Sequence, residues 1–399
     1  MNKSFFFKSF FFLIFFSALG SGNIDGEKDV KDFKFNVRVL LDEISNKENK
    51  CWELSADQGF ILIDPDDVAK KVYLKQKKIF VKWNKGTLFF DGKKFLRDSV
   101  KIYSLSDGIA LGTKNYQGGF FFVKDKEKSY LINELDLEDY LYAVLCSEVW
   151  PGWPLEMNKV QAIASRSYVV SKVLESKKNK KFYHIKDDNF HQRYNMYGFQ
   201  GKEAALKKVE KKAIDETKGL ILSHKGKPIL AMFDACCGGV IPSKLQGLDF
   251  EKAPYLKREH ACQYCKGFKV FNWQFEMSKN DLASELRKVF PDLANLVNFK
   301  ITKRDKADTV QEIQIKDSKH HTFVMTGKKF YKLLGNVKSF CFSSQCSGKK
   351  YIFKGKGLGH HIGLCQWGAK KMVDDGYDFE SILSFYYPNT KIMKLASTK

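Results

Sequence analysis

The chain has 399 residues and a mass of 46.0 kDa, enough for two or three domains. Its 44% hydrophobic and 29% charged residues exclude a wholly disordered chain, and eight prolines exclude a proline-rich linker. A formal charge of +22 and a pI near 9.4 favour polyanionic surroundings: nucleic acid, anionic lipid or a carboxylate-rich cell wall.

Residues 1–22 read as a signal peptide. Lys3 and Lys8 precede the apolar run Phe10–Phe16, and Ala18-Leu19-Gly20 offers a small-x-small cleavage site. The run is short for a membrane span, and no later segment is long and apolar enough. The expectation is therefore an exported protein with no stable membrane span after cleavage. An uncleaved anchor is the alternative. Residues 23–34 are polar and form a flexible leader.

From residue 35 to 131 short apolar or aromatic runs alternate with Asp, Gly, Asn and Lys. Phe35–Leu41, Phe60–Ile63, Lys78–Trp83, Thr87–Phe90 and Gly119–Val123 read as strands of a β-rich N-terminal part. Residues 132–399 then read as a mixed helix/strand core, so the fold class is α+β. Asp136 caps a helix with Leu137, Leu141, Val144 and Leu145 on one face. Trp150-Pro151-Gly152 ends it, and Pro154 opens a second helix with Val160, Ile163, Ala164 and Ser167 inside. A third helix is expected from Lys202 to Lys218, followed by strands at Leu220–Ser223 and Ile229–Phe233. Ser278 to Asp281 forms a capping box before Leu282, Leu286 and Val289. Strands at Val310–Ile315, Thr322–Met325 and Tyr351–Phe353 precede helices at Gln366–Asp375 and from Phe379 to Tyr386.

Glu148 lies in the kinked connection between the first two helices, flanked by Trp150 and Trp153. A carboxyl group against aromatic surface is desolvated, which raises its pKa and lets it keep a proton for a leaving oxygen. The tryptophan rings suit the apolar faces of sugars. The plainer alternative is a Glu that caps the following helix.

Nine cysteines in an exported chain point to disulfides or a metal site. The spacing of Cys341 and Cys346 suits a small disulfide loop. Cys237, His260, Cys262 and Cys265 supply enough soft ligands for a structural zinc, and disulfides among these cysteines compete with it. Lysine runs such as Lys177–Lys181 are solvated faces by default. The chain carries no recognised nucleic-acid module, so nucleic acid is not expected as a partner.

Two stretches carry a family resemblance. LINELDLEDYLYAVLCSEVWPGWPLEMNKVQAIASRSYVVSK, within residues 128–175, and FKGKGLGHHIGLCQWGAKKMVDDGYDFESILSFYYPNTKI, near the C-terminus, resemble the SpoIID/LytB family of exported cell-wall proteins. Gln192-Arg193-Tyr194, Lys218-Gly219, Cys237-Gly238-Gly239 and Ala253-Pro254-Tyr255-Leu256 follow in the family's order. The resemblance spans roughly residues 35 to 393.

The resemblance implies peptidoglycan remodelling at the periplasm or cell envelope. SpoIID-type proteins are lytic transglycosylases of peptide-stripped glycan strands, whose catalytic Glu maps onto Glu148. The match at Ser147-Glu148-Val149-Trp150-Pro151 departs from the family's S-E-M-P pattern by one residue. LytB-type members imply instead a non-catalytic modulator that stimulates an N-acetylmuramoyl-L-alanine amidase. With one obvious carboxylate, Glu148 would protonate the glycosidic oxygen and then accept the proton of the substrate's C6 hydroxyl. A 1,6-anhydro-muramyl end would result, and no cofactor is required.

The resemblance also assigns supporting roles. His360 and Gln366, in the G-x-G-H-G-V-G-M-S-Q-x-G-A-like run, are expected to bind sugar hydroxyls or orient Glu148. In this run His361 replaces a Gly and Cys365 a Ser. Arg166 and Tyr168 match A-R-T-Y, and Arg166 is a candidate for the lactyl carboxylate of muramic acid, with an internal salt bridge as the alternative. Gln192 and Tyr194 are groove-lining candidates whose alternative role is loop packing. Zinc binding by some family members adds to the zinc expectation.

Overall fold

The computed structural model describes residues 35–187, 192–194, 208–243 and 248–395. The signal-peptide and leader assignments lie outside these residues. Among the described residues no helix is long and apolar enough to cross a membrane.

The alternating apolar runs of the N-terminal part form two sheets. One has seven strands in the order Ile185–Lys186, Asn36–Ser45, Lys128–Asp136, Gly119–Asp125, Ser99–Ser104, Phe60–Asp64 and Asp67–Leu74. The other has six, running from Lys114–Tyr116 through Ile109–Leu111, Asn49–Ser55, Lys78–Asn84 and Thr87–Phe90 to Lys93–Lys94. Val37, Val39, Leu54, Phe60, Ile79, Val81, Ile102 and Phe122 are buried, as period-2 patterning requires. Trp52 meets Phe122 edge-on at 5.6 Å, joining the sheets.

Seven helices are described: α1 Leu137–Glu148, α2 Leu155–Lys178, α3 Lys208–Glu216, α4 Lys279–Arg287, α5 Gly327–Leu333, α6 Gln366–Asp374 and α7 Phe379–Tyr386. Asp136 caps α1 by accepting the Glu138 N–H, and Ser278 caps α4 by accepting that of Asp281. The expected third helix is described from Lys208 only; residues 201–207 lie outside the described set. α2 is buried around most of its circumference, because α1, α3, the strand Leu220–His224 and the C-terminal helices pack about it. One hydrophobic cluster thus runs from Val37 to Tyr387. Residues 273–353 hold a separate cluster built on Phe299, Phe330, Phe342 and Phe353. The fold is α+β.

Two local expectations are corrected. Ile229–Phe233 is not a strand. Its N–H groups bond irregularly, Ile229 to Leu222 O, Leu230 to the Tyr255 hydroxyl and Met232 to Leu230 O, and pairing begins only at Phe233–Asp234. Cys341 and Cys346 are not bridged. Phe342–Ser347 is an extended strand, so the two lie roughly 17 Å apart along it, against about 7 Å at most for a disulfide.

Candidate functional site

Glu148 is the last residue of α1, and Val149 turns to extended backbone while bonding back to Leu145 O. Pro151 cannot continue a helix. The connection is held by the Trp153 N–H to Trp150 O at 3.2 Å, and by Asn158 Nδ2, which donates to Trp153 O and Pro154 O at 3.0 Å each. The extra residue between Glu148 and Pro151 is thus absorbed in a braced turn.

The Glu148 carboxyl is half-buried. Its Oε1 accepts the Arg193 N–H at 2.6 Å. Burial pushes its pKa up, while the Arg193 N–H and the Arg193 charge oppose the rise. The next N–H, that of Tyr194, donates to Asp187 Oδ1 at 3.3 Å, which brings a second carboxylate to the same segment. On the backbone side, Gln366 Nε2 donates to Glu148 O at 3.0 Å and to Gln161 Oε1 at 3.2 Å. Gln366 opens α6, so α2 and α6 brace the end of α1 together.

Next along α6, Trp367 gathers the aromatic groups. It stacks on Phe268 at 4.0 Å and 17°, meets Trp153 edge-on at 5.3 Å and meets Trp150 at 6.2 Å. Trp150 is 57% exposed and Trp153 is buried. The exposed ring of Trp150 beside a half-buried acid gives a sugar both an apolar face and a proton donor.

Other expected site residues lie elsewhere. Arg166 is fully buried in α2 and holds Glu138 with two bonds, Nη2 to Oε2 at 2.7 Å and Nε to Oε1 at 3.1 Å. Its Nη1 donates to Leu220 O at 3.0 Å. The internal salt bridge therefore replaces the lactyl-carboxylate role. Tyr168 is buried in the same helix. Gln192 accepts the Tyr140 hydroxyl at 2.8 Å. Tyr194 stacks on Tyr140 at 5.5 Å and donates to Asn133 Oδ1. Both are buried packing residues that anchor the backbone on either side of Arg193, so they act on Glu148 through that N–H and do not line a groove.

His360 Nδ1 accepts the Ile362 N–H at 3.1 Å, and Phe233 supplies a further backbone bond. Desolvation and neighbouring His361 press its pKa down to about 4. These partners are backbone groups, not Glu148. His361 adopts φ +67, the left-handed region that suits the glycine of the family pattern. Its N–H to Asp234 Oδ2 at 2.6 Å and its Nδ1–H to Cys237 O at 2.9 Å hold it there.

His260 is exposed and stands outside the cysteine cluster. Cys365, from the start of the C-terminal motif, takes the fourth place beside Cys237, Cys262 and Cys265. Arg193, Gln161, Trp367 and Cys365 were thus missed as site residues. Trp367 and Cys365 carried a signal, lying inside the quoted motif. Arg193 also lies inside a quoted element, Gln192-Arg193-Tyr194, but nothing there marks its backbone N–H as the partner of Glu148.

Residues 125–224 match the SpoIID family, described as stage II sporulation protein, and residues 255–363 match a domain family of unknown function, DUF8618. The chain belongs to the SpoIID/LytB family. It is 31% identical over 294 residues to an uncharacterised protein of Brachyspira hyodysenteriae, covering 73% of this chain and 76% of that one. An amidase enhancer of Bacillus subtilis is 27% identical over 383 residues, covering 82% of this chain and 52% of the relative. The chain therefore spans about half the length of that protein. Stage II sporulation protein D of Bacillus amyloliquefaciens is 25% identical over 287 residues, with 68% and 78% covered. The SpoIID match contains α1, Glu148, α2 and Arg193, which places the braced acid inside the region that defines the family.

Proposed function

We propose that this SpoIID/LytB protein is an exported peptidoglycan-remodelling enzyme that cleaves glycan strands, peptide-stripped ones in particular, by lytic transglycosylation. The observation that carries this reading is the state of Glu148: a carboxyl raised in pKa by burial, fixed at Oε1 by one N–H and next to exposed Trp150. Protonated Glu148 gives its proton to the glycosidic oxygen as the C1–O bond breaks. The carboxylate so formed, steadied by the Arg193 N–H, takes the proton of the C6 hydroxyl as that oxygen closes on C1. The atoms balance without water, and the product is a 1,6-anhydro end. Asp187 Oδ1 accepts the N–H of Tyr194, next to the Arg193 N–H that Glu148 holds; a hydrolytic route through two carboxylates would leave a reducing end in place of the anhydro one. The positive surface favours adsorption to anionic envelope polymers.

The test is incubation of the purified protein with peptide-free glycan strands and mass spectrometry of the products. Anhydro-muramyl ends that vanish with Glu148→Gln support the reading. Strand scission undiminished in that variant overturns it. A second reading, a modulator that stimulates a cell-wall amidase, is favoured by the likeness to the amidase enhancer across 82% of this chain. It predicts no cleavage by the protein alone and faster amidase turnover on its addition.

A further inference from the structure

We propose that Cys237, Cys262, Cys265 and Cys365 bind one structural zinc(II) ion as thiolates, and that this ion fixes the start of α6, from which Gln366 and Trp367 project. The four Sγ atoms lie within 4.8 Å of one another and all four residues are buried. A tetrahedral zinc with bonds of about 2.3 Å places its sulfurs roughly 3.8 Å apart. Cys237 Sγ and Cys265 Sγ stand 3.7 Å apart. Four buried thiolates fill every position of a tetrahedral zinc, a closed site that is structural and not catalytic. Cys236, although buried, falls outside the mutually close set.

Three neighbours fit an anionic centre. The Cys237 N–H points at Cys365 Sγ at 3.2 Å, and the Tyr386 hydroxyl lies 3.2 Å from Cys262 Sγ, so donors already face two of the sulfurs. Arg258 is 1% exposed. Its guanidinium donates to Gly363 O at 2.7 Å and Val240 O at 2.5 Å, its Nε has no partner, and it forms no ion pair among the described residues. Cys237, Asp234 and Cys365 act on it electrostatically. A buried cation needs a compensating charge, and zinc with four thiolates, a dianion, supplies one. Gly368 completes the cradle: a Cβ there would stand 2.2 Å from Tyr386 Oη and 2.6 Å from Cys262 Sγ.

Binding displaces the proton of each thiol, so four Zn–S bonds form as four S–H bonds are lost and no electrons move. The competing arrangement, two disulfides, would remove the same thiols by oxidation. The sequence separations matter: Cys237, the Cys262–Cys265 pair and Cys365 come from three distant segments. The ion therefore ties the loop after Asp234, the turn before Phe268 and the N-terminal end of α6. Its loss would loosen the Gln366 bond to the Glu148 carbonyl.

The experiment is metal analysis of the full-length purified chain by mass spectrometry, with peptide mapping, without reductant, of cysteines alkylated in the folded chain before and after chelation. About one zinc per chain is expected, with the four cysteines blocked until chelator is added and free afterwards. Cys365→Ser should lose the metal, whereas Cys51→Ser and Cys346→Ser, both at exposed positions, should keep it. Should Cys365→Ser fail to fold, cobalt(II) exchanged into the wild-type chain should show thiolate charge-transfer and tetrahedral d–d bands. Iron in place of zinc, no metal, or peptides disulfide-linked among the four cysteines would overturn the proposal. Glu148→Gln should retain its full zinc, so the fate of this site is read separately from that of the transglycosylase reading.

Discussion

Replacing Arg166 with Met separates a structural role from a substrate-binding one. The guanidinium is fully buried and makes two bonds to Glu138 and one to Leu220 O. Methionine keeps most of the volume but leaves Glu138, whose side chain is 14% exposed, with the Gly219 N–H at 3.2 Å as its remaining donor among the described residues. Breaking a buried pair by removing one partner costs about 3–5 kcal/mol. For a cooperative unit of this size that lowers Tm by roughly 5–15 °C. Lysine, a single point charge without the fork, should recover only part of the loss. Thermal unfolding followed by circular dichroism measures the drop, and a Glu138→Gln/Arg166→Met double variant should cost less than the two single variants summed. Unchanged Tm together with a raised KM for glycan strands would refute this assignment and return Arg166 to the substrate.

Other perturbations have equally definite outcomes. Glu148→Gln should reduce strand scission by at least about 100-fold. Because burial raises the pKa of Glu148, the stability this group contributes is present at low pH and lost as pH rises through the folded pKa; the amide should therefore raise Tm at pH 8, measured by differential scanning fluorimetry. Gln366→Leu removes the side-chain donor shared by the Glu148 carbonyl and Gln161 Oε1, which should cost about 2–4 kcal/mol and lower kcat with little change in KM. A raised KM at constant kcat would contradict this positioning role. His184 accepts the Arg38 N–H at 3.0 Å, and burial, then the charges of Arg38 and Lys177, hold its pKa down to about 3. The unfolded chain takes up that proton first, so stability falls as pH drops below about 6.5, by about 2 kcal/mol at pH 5. His184→Asn should flatten this decline in urea titrations at pH 7 and pH 5.

Much of the scaffold around the acid was legible because local chemistry decides it. Asp136 and Ser278 are caps in sequence and in structure, and Trp150-Pro151-Gly152 breaks the helix where expected. Glu148 could be found because it stands at the end of a helix that Trp150-Pro151-Gly152 breaks. Arg166 misled because a buried ion pair on a helix has no local signature; Glu138 is 28 residues away. Arg193 stood inside a quoted element, but its backbone bond to Glu148 has no side-chain signature, and the flanking Gln192 and Tyr194 hold it in place. His260 was favoured for closeness along the chain, whereas Cys365, 100 residues beyond Cys265, completes the cluster in space. Ile229–Phe233 is apolar enough for a strand, but tertiary contacts claim its N–H groups.

The bond between Gln366 and the Glu148 carbonyl joins residues 218 apart. A chain still emerging from the ribosome, or threaded unfolded through a translocation pore, holds the acid without its brace. The brace thus forms only once the chain has been made beyond residue 366 and has folded back onto α1 and α2. Because one cluster is continuous from Val37 to Tyr387, removing α6 and α7 would strip α2 of cover as well as Glu148 of its brace.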